Sequence, residues 1–173
     1  MKEPTVILSE EHQQILKVAR ALARECEALE KGGGIDREFF KKAIDFIRSY
    51  ADRFHHAKEE DILFKELTKP GVAMHCNPVE QMLYEHDRGR ALVKEADEGL
   101  GKDDRKKAVA GMKGYAELIQ EHIYKEDNIL YPMAEGALSE EAKKEMLKKF
   151  KKAEKKIPGA RKYVHLASEF ERR

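Results

Sequence analysis

Apolar residues recur along this chain in alternating steps of three and four, and this spacing limits the possible folds more than any other property of the sequence. Four stretches carry it, as is typical of helices packed in a bundle. The first stretch aligns these residues on one helical face: His12, Ile15, Ala19, Leu22, Cys26 and Leu29. A histidine thus occupies a core position. No stretch alternates like a half-buried strand, so we predict an all-α protein.

Capping and helix-breaking residues indicate where the helices begin and end. Ser9 is a good N-cap residue, and the glycines at 32–34 would stop the helix that follows it. Pro70 and Gly71 would end the second helix. The four predicted helices span about 9–31, 36–68, 78–101 and 103–135. Because their connections are short, we expect an up-down-up-down antiparallel four-helix bundle.

An internal repeat joins the two halves of the bundle. Residues 55–64, HHAKEEDILF, align with residues 122–131, HIYKEDNILY, and each copy follows a helix with a histidine after an acid, EEH or YEH. The alignment pairs His55 and Glu59 with His122 and Glu126. His56 follows one residue later, about 100° around an α-helix, so we expect it on the outer face or at the periphery of a site.

Histidine and glutamate four residues apart lie on one helical face, and both can point at one centre. Buried carboxylates and facing imidazoles are costly to desolvate, and a pair of metal ions is the simplest compensation. Nitrogen and oxygen donors favour iron, with manganese or zinc less favoured, whereas calcium and magnesium rarely take imidazole. The candidate metal ligands are His12, His55, Glu59, His86, His122 and Glu126.

These motifs resemble the hemerythrin-like family, also called the HHE cation-binding domain. The resemblance covers roughly residues 7–135, in EEHQQI, HHAKEEDILF, YEHDRGR and HIYKEDNILYP. It implies a bundle around two non-heme iron ions (Fe²⁺/Fe³⁺), with an oxo or hydroxo bridge and with Glu59 and Glu126 as bridging carboxylates. It also implies ligand roles for all six candidates. Ferritin-like bundles are disfavoured, because they use Glu-x-x-His, which this chain lacks.

One departure from the family affects the expected function. Oxygen-carrying hemerythrins place two histidines one turn apart on the third helix, whereas Met82 and Arg90 flank His86 here. His75 or His56 could supply the fifth imidazole, although a surface role is commoner for either. The resemblance therefore implies binding of, or reaction with, oxygen, peroxide or nitric oxide. If the protein is an enzyme, it would be a di-iron oxidoreductase. The alternative is a non-catalytic module for metal-responsive sensing, iron storage or partner interaction.

The composition changes near residue 137. Residues 143–173 contain twelve Lys or Arg and four Glu, a local charge of +8, which leaves −7 for residues 1–142. We predict a hemerythrin-like metal-binding bundle over 1–137 and a basic C-terminal helical extension over 138–173. An apolar stripe that includes Met146 and Phe150 favours a helix docked on the bundle. The basic segment could also contact a protein partner.

Several signals bear on location and partners. The chain has no apolar run of the roughly 18 residues that a membrane span needs, and its N-terminal apolar stretch is too short for a signal peptide. Cys26 and Cys76 form no CxxC motif. We therefore predict a cytoplasmic protein with neither a membrane nor a nucleic acid as partner. Among the tyrosines, Tyr115 is the best placed to approach a metal.

Overall fold

The computed structural model describes residues 2–73, 76, 78–156 and 159–173, and this part of the chain contains helices and no strand. The all-α prediction is confirmed. The continuous helices are α1 (Pro4–Glu30), α2 (residues 37–67), α3 (Val79–Gly101), α4 (residues 105–137), α5 (Glu140–Lys156) and α6 (Ala160–Arg172). None of these described helices is both long and apolar enough to cross a membrane.

Helices α2 and α4 change their winding where the repeat lies. In α2, α-helical Arg37–Phe46 and Phe64–Leu67 enclose π-helical Ile47–His56 and Glu59–Leu63. In α4, α-helical Arg105–Lys125 and Tyr131–Ala137 enclose π-helical Glu126–Leu130. A π-helix bonds residues five apart rather than four and is frequent at functional sites. Both copies of the repeat therefore carry this local widening.

Contacts between the helices establish their antiparallel order. Helix α1 meets α4 through Ser9 and Asp127 near one end and through Cys26 and Val109 near the other. Helices α2 and α3 are also antiparallel, since they are joined by the pairs Arg48–Asp97 and Glu60–His86. Helices α3 and α4 are antiparallel too, through the pairs Glu85–Lys125 and Glu98–Lys107. This is the predicted four-helix bundle.

The predicted start of the first helix was wrong by about one turn. Helix α1 begins at Pro4, which suits a first helical position because its nitrogen has no hydrogen to leave unbonded. Ser9 lies inside the helix and hydrogen-bonds Asp127 across the bundle at 2.6 Å. The Ser9 hydroxyl is therefore a hydrogen-bond donor between α1 and α4 and not an N-cap.

Glycines allow α3 and α4 to approach closely. A Cβ atom at Gly111 would lie 2.7 Å from the carbonyl oxygen of Leu92, and one at Gly99 would lie 2.5 Å from the backbone nitrogen of Ala108. Real Cβ atoms do not come so near to backbone, so a larger residue would force the helices apart. This approach keeps the histidines of α3 and α4 within reach of each other.

The predicted ligands form a polar layer between two apolar clusters. On α1, His12 lies between Leu8, which belongs to one cluster, and Ile15, which belongs to the other. The corresponding flanking pairs are Phe54 and Ile62 on α2, Met82 and Leu92 on α3, and Ile119 and Leu130 on α4. The layer is therefore screened from solvent at both ends of the bundle.

The C-terminal helices pack against the bundle. Helix α5 contacts α1 and the Glu59–Leu63 segment, and it buries Met146 and Phe150 completely or nearly so. Helix α6 lies along α1 and buries Phe170. The docked apolar stripe is thus confirmed at Met146 and Phe150, while the division into two parts at residue 137 stays a prediction.

Candidate metal centre

The structure brings all six predicted ligands together in the buried layer. Two groups of donor atoms form, and within each group every donor lies within 4.8 Å of the others. The first donor group is His12, His55, Glu59 and Glu126, and the second donor group is His56, Glu59, His86 and His122. Because Glu59 belongs to both groups, two neighbouring ions would share it.

Glu126 lies between histidines of the two groups. Its Oε2 atom is 3.2 Å from Nε2 of His12 and 3.2 Å from Nε2 of His122, without the alignment of a hydrogen bond. The carboxylate therefore faces histidines of both donor groups.

Glu59 occupies the equivalent place in the other half of the repeat. Its Oε2 atom is 3.5 Å from Nε2 of both His55 and His86. The hydroxyl of Tyr131 donates a hydrogen bond to its other oxygen. The two halves thus place their carboxylates alike, and only Glu59 has a phenol donor.

Several polar atoms of this layer are buried and have no hydrogen-bond partner. They are Nε2 of His55, both ring nitrogens of His56, Oε2 of Glu59 and both carboxylate oxygens of Glu126. Each such atom costs about 1–3 kcal/mol when it is left unsatisfied. Metal ions would satisfy these atoms directly, so the residues present fit a metal pair.

A second set of carboxylates orients the imidazoles. The Nδ1–carboxylate pairs, each between different helices, are His12–Asp127 (2.9 Å), His55–Glu11 (3.0 Å), His86–Glu60 (2.7 Å) and His122–Glu85 (2.8 Å). A proton shared at Nδ1 leaves Nε2 free to bind a metal, and metal-ligating histidines almost always have such a partner. Sequence reasoning did not assign these four acids. The sequence does mark these acids, because each of them is the immediate neighbour of a predicted ligand.

The internal repeat reappears as a pseudo-twofold relation between contacts. Glu11 on α1 binds His55 and Lys58 on α2, and Glu85 on α3 binds His122 and Lys125 on α4. The alignment of the repeat matches each member of the first set with one of the second.

Comparison with known proteins agrees with this geometry. The model of the hemerythrin HHE cation binding domain matches residues 3–134. The chain belongs to this family. No curated protein sequence gives a significant match. The family match covers α1–α3 and nearly all of α4, so the four helices that carry the grouped histidines belong to the HHE domain.

His56 corrects one expectation for this HHE domain. We expected an outward or peripheral residue, but the side chain is buried, and its ring stacks on that of His86 with centroids 3.8 Å apart. The π-helical winding of Ile47–His56 is the physical reason, because it puts more residues in each turn and lets His55 and His56 both face inward. The structure therefore favours His56 for the fifth imidazole, whose ligand role stays a prediction. His75 lies outside the described residues.

Two tyrosines differ from expectation. Tyr131, which the sequence reasoning missed, is buried, bonds Glu59, and places its hydroxyl 3.3 Å from Nε2 of His12. Its counterpart in the repeat is Phe64, so the two donor groups differ in this hydroxyl. Tyr115 contacts none of the six ligands by a hydrogen bond and lines a cavity beside the second group.

Replacing Tyr131 by phenylalanine should lower the free energy of unfolding of the chelator-treated protein by about 1–3 kcal/mol, because a buried oxygen of Glu59 loses its donor. Urea denaturation measures this change. Tyr124→Phe is the matched control, since Tyr124 is exposed. Equal stability of the two variants would contradict the role of the hydroxyl. Metal content should stay unchanged in both, because the hydroxyl is engaged as a hydrogen-bond donor to Glu59.

Neighbouring carboxylates raise the pKa values of His12 and His122, which favours the protonated, cationic form of both rings when no metal is bound. Burial lowers the pKa of His12, but its hydrogen bond with Asp127 and the nearby Glu126 outweigh burial and raise this pKa to about 9. For His122, the charge of Glu126 and the bond to Glu85 outweigh burial and raise the pKa to about 10. Without metal, two imidazolium ions therefore flank the Glu126 carboxylate at neutral pH.

Glu59 and Glu126 respond to burial in opposite ways. Burial and the neighbouring Glu126 raise the pKa of Glu59 well above its ordinary value. The charges of His122 and His12 overcome burial and hold the pKa of Glu126 well below its ordinary value. The pKa values of the two carboxyls are thus shifted apart, as expected when two like charges share a buried site.

Proposed function

We propose that the protein binds two non-heme iron ions and that this centre binds or reacts with dioxygen, peroxide or nitric oxide. The supporting observation is the pair of buried donor groups that share Glu59. All their donors are nitrogen or oxygen, since Cys26 lies in the apolar core and Cys76 is exposed. Such a donor set suits iron or manganese, whereas structural zinc sites usually include thiolate.

The residues divide into holding and orienting roles. His12 and His55 would hold one ion, and His56, His86 and His122 the other, with the two glutamates between them. The carboxylates at Nδ1 keep four of these imidazoles, all except that of His56, in the tautomer that leaves Nε2 free. The apolar clusters on both sides of the layer exclude water. When bound, iron supplies the electrons and the Lewis acidity that reactions of such small ligands require.

Metal analysis of protein from iron-supplemented cells, purified without chelator, tests this proposal. We expect two iron ions per chain and oxo-to-iron charge-transfer bands in the near-ultraviolet and visible spectrum. Nitric oxide or peroxide should alter those bands. Zinc alone, or a fully folded protein without metal, would contradict the proposal.

Enzymatic turnover is a separate part of the proposal. A di-iron oxidoreductase would consume peroxide continuously when a reductant is supplied, and Glu59→Ala and Glu126→Ala would abolish the consumption. Stoichiometric binding without turnover would instead leave a carrier or sensor.

A metal-responsive module is the second candidate, and one contact favours it. Lys58 is fully buried and adjoins Glu59 in the sequence. It bonds Glu11 on α1 and Glu154 on the basic helix α5. A change at the metal layer would therefore reach α5 through one side chain. A protein complex that forms through residues 138–173 in only one metal state would support this function.

A further inference from the structure

A cavity of about 240 Å³ opens between α2, α3 and α4 beside the second donor group. Its walls combine apolar side chains, those of Ile47, Val93, Leu118 and Ile119, with charged residues and histidines of the second donor group. His56 also borders it. Anything that binds in this cavity therefore lies next to one proposed metal position.

Besides the ring nitrogens of His56, a further polar group in the cavity wall lacks a hydrogen-bond partner. The hydroxyl of Tyr115 is buried and makes no hydrogen bond, although the side chain lines the cavity. Burial raises the pKa of Tyr115 well above its ordinary value, so the hydroxyl keeps its proton and acts as a donor. A buried donor without an acceptor is unfavourable, and a bound molecule with an acceptor would relieve this cost.

The size of the cavity exceeds that of dioxygen, nitric oxide or peroxide. An apolar cavity of about 150 Å³ holds one benzene molecule. A volume of about 240 Å³ therefore accommodates a six-membered ring with a short substituent. A diatomic ligand would leave most of the walls without contacts.

The charged side chains along the cavity indicate a neutral occupant. Arg90 pairs with Asp52 at 2.7 Å, and Arg48 pairs with Asp97 at 2.7 Å. Glu85 also lines the cavity and bonds His122 and Lys125. Arg53 is exposed to solvent, where a charge contributes little to binding. An ionic ligand would have to compete with these pairs, whereas a neutral one leaves them intact.

We infer that this cavity binds a neutral, ring-sized organic molecule that accepts a hydrogen bond from Tyr115. The inference rests on the proposed function and deepens it, because it names the class of molecule that binds beside the proposed metal pair. Binding to the cavity is itself measurable with or without metal.

Two probes of nearly equal size test the inference. Acetophenone carries a carbonyl acceptor, and isopropylbenzene has a methyl group and a hydrogen in place of that oxygen. Their dissociation constants are measured by calorimetry or ligand-detected NMR on the metal-loaded and the chelator-treated protein. Tyr115→Phe should weaken acetophenone binding roughly 2- to 10-fold, which corresponds to one neutral hydrogen bond, and leave isopropylbenzene binding unchanged.

A cavity-filling variant locates the binding. A Cβ atom at Gly89 would lie 3.6 Å from the Tyr115 ring, an ordinary contact, and a leucine there extends further into the cavity. Gly89→Leu should weaken both probes at least roughly tenfold, since it removes the volume that they occupy. Gly89→Ala, which adds one methyl group, is its control.

The outcomes separate this inference from the proposed function. Absence of binding in both protein forms, equal effects of Tyr115→Phe on both probes, or binding unaffected by Gly89→Leu would each overturn the inference. Iron-loaded protein that binds neither probe would retain the di-iron function and lose the cavity ligand. Iron-free protein that binds acetophenone in the expected manner would retain the cavity ligand and lose the di-iron function.

Discussion

Glu126→Ala should reduce metal affinity by more than about 100-fold, because Glu126 faces histidines of both donor groups. Even residues that only orient a ligand typically account for 10–100-fold in metal affinity. The substitution also breaks the buried pairs of the Glu126 carboxylate with the charged rings of His12 and His122, which keep only their partners at Nδ1. Breaking such a pair costs about 3–5 kcal/mol, or roughly 6–20 °C in Tm for a domain of this size. Metal analysis and thermal unfolding measure the two effects.

Two controls separate charge from packing at this position. Glu126→Gln keeps the shape of the side chain and removes its charge, so it should lose metal while melting above Glu126→Ala. Glu121→Ala changes an exposed residue on the same helix and should leave both quantities unchanged. Full metal content in Glu126→Ala would show that the ligand assignment is wrong. His55→Ala and His122→Ala should lose metal for the same reason.

The chelator-treated protein should become less stable as pH rises from about 6.5 towards 9, whereas the metal-loaded protein should not. His12 and His122 have folded-state pKa values of about 9 and 10 against 6.5 when unfolded. Below pH 6.5 the two histidines are protonated in the folded and in the unfolded protein, so they stabilise the fold fully. This stabilisation is lost as pH rises through the folded-state pKa values. Each group contributes up to about 1.4 kcal/mol per pH unit.

Unfolding of both forms at pH 6.5, 7.5 and 8.5 tests this pH dependence. Metal affinity should rise over the same range, because metal ions displace the two protons. Asp127→Asn removes the hydrogen-bonded carboxylate at His12 and should flatten the slope of the chelator-treated protein. Asp61→Asn, at an exposed position on α2, is the control. A flat or rising stability in the chelator-treated wild type would contradict the proton arrangement.

The sequence by itself determined the four-helix bundle and the inward side of most ligands. Helical periodicity is local, so spacing along the chain placed His12, His86 and His122 on buried faces. The repeat then placed His55 with Glu59, which is also buried. These inferences needed only neighbouring residues on one helix, together with the cost of burying histidine without a partner.

Only the tertiary structure decided the environment of those ligands. The contact between Glu11 and His55 joins residues 44 positions apart on different helices, and no period along one helix predicts it. The burial of His56 depends on π-helical winding, which a fixed angle of about 100° per residue does not represent. Tyr131 reaches Glu59 only because α4 packs beside the metal layer. For Glu11 and Tyr131 the physical reason is packing between helices, which sets the side chains that meet. For His56 it is a local winding that the average helical period does not describe.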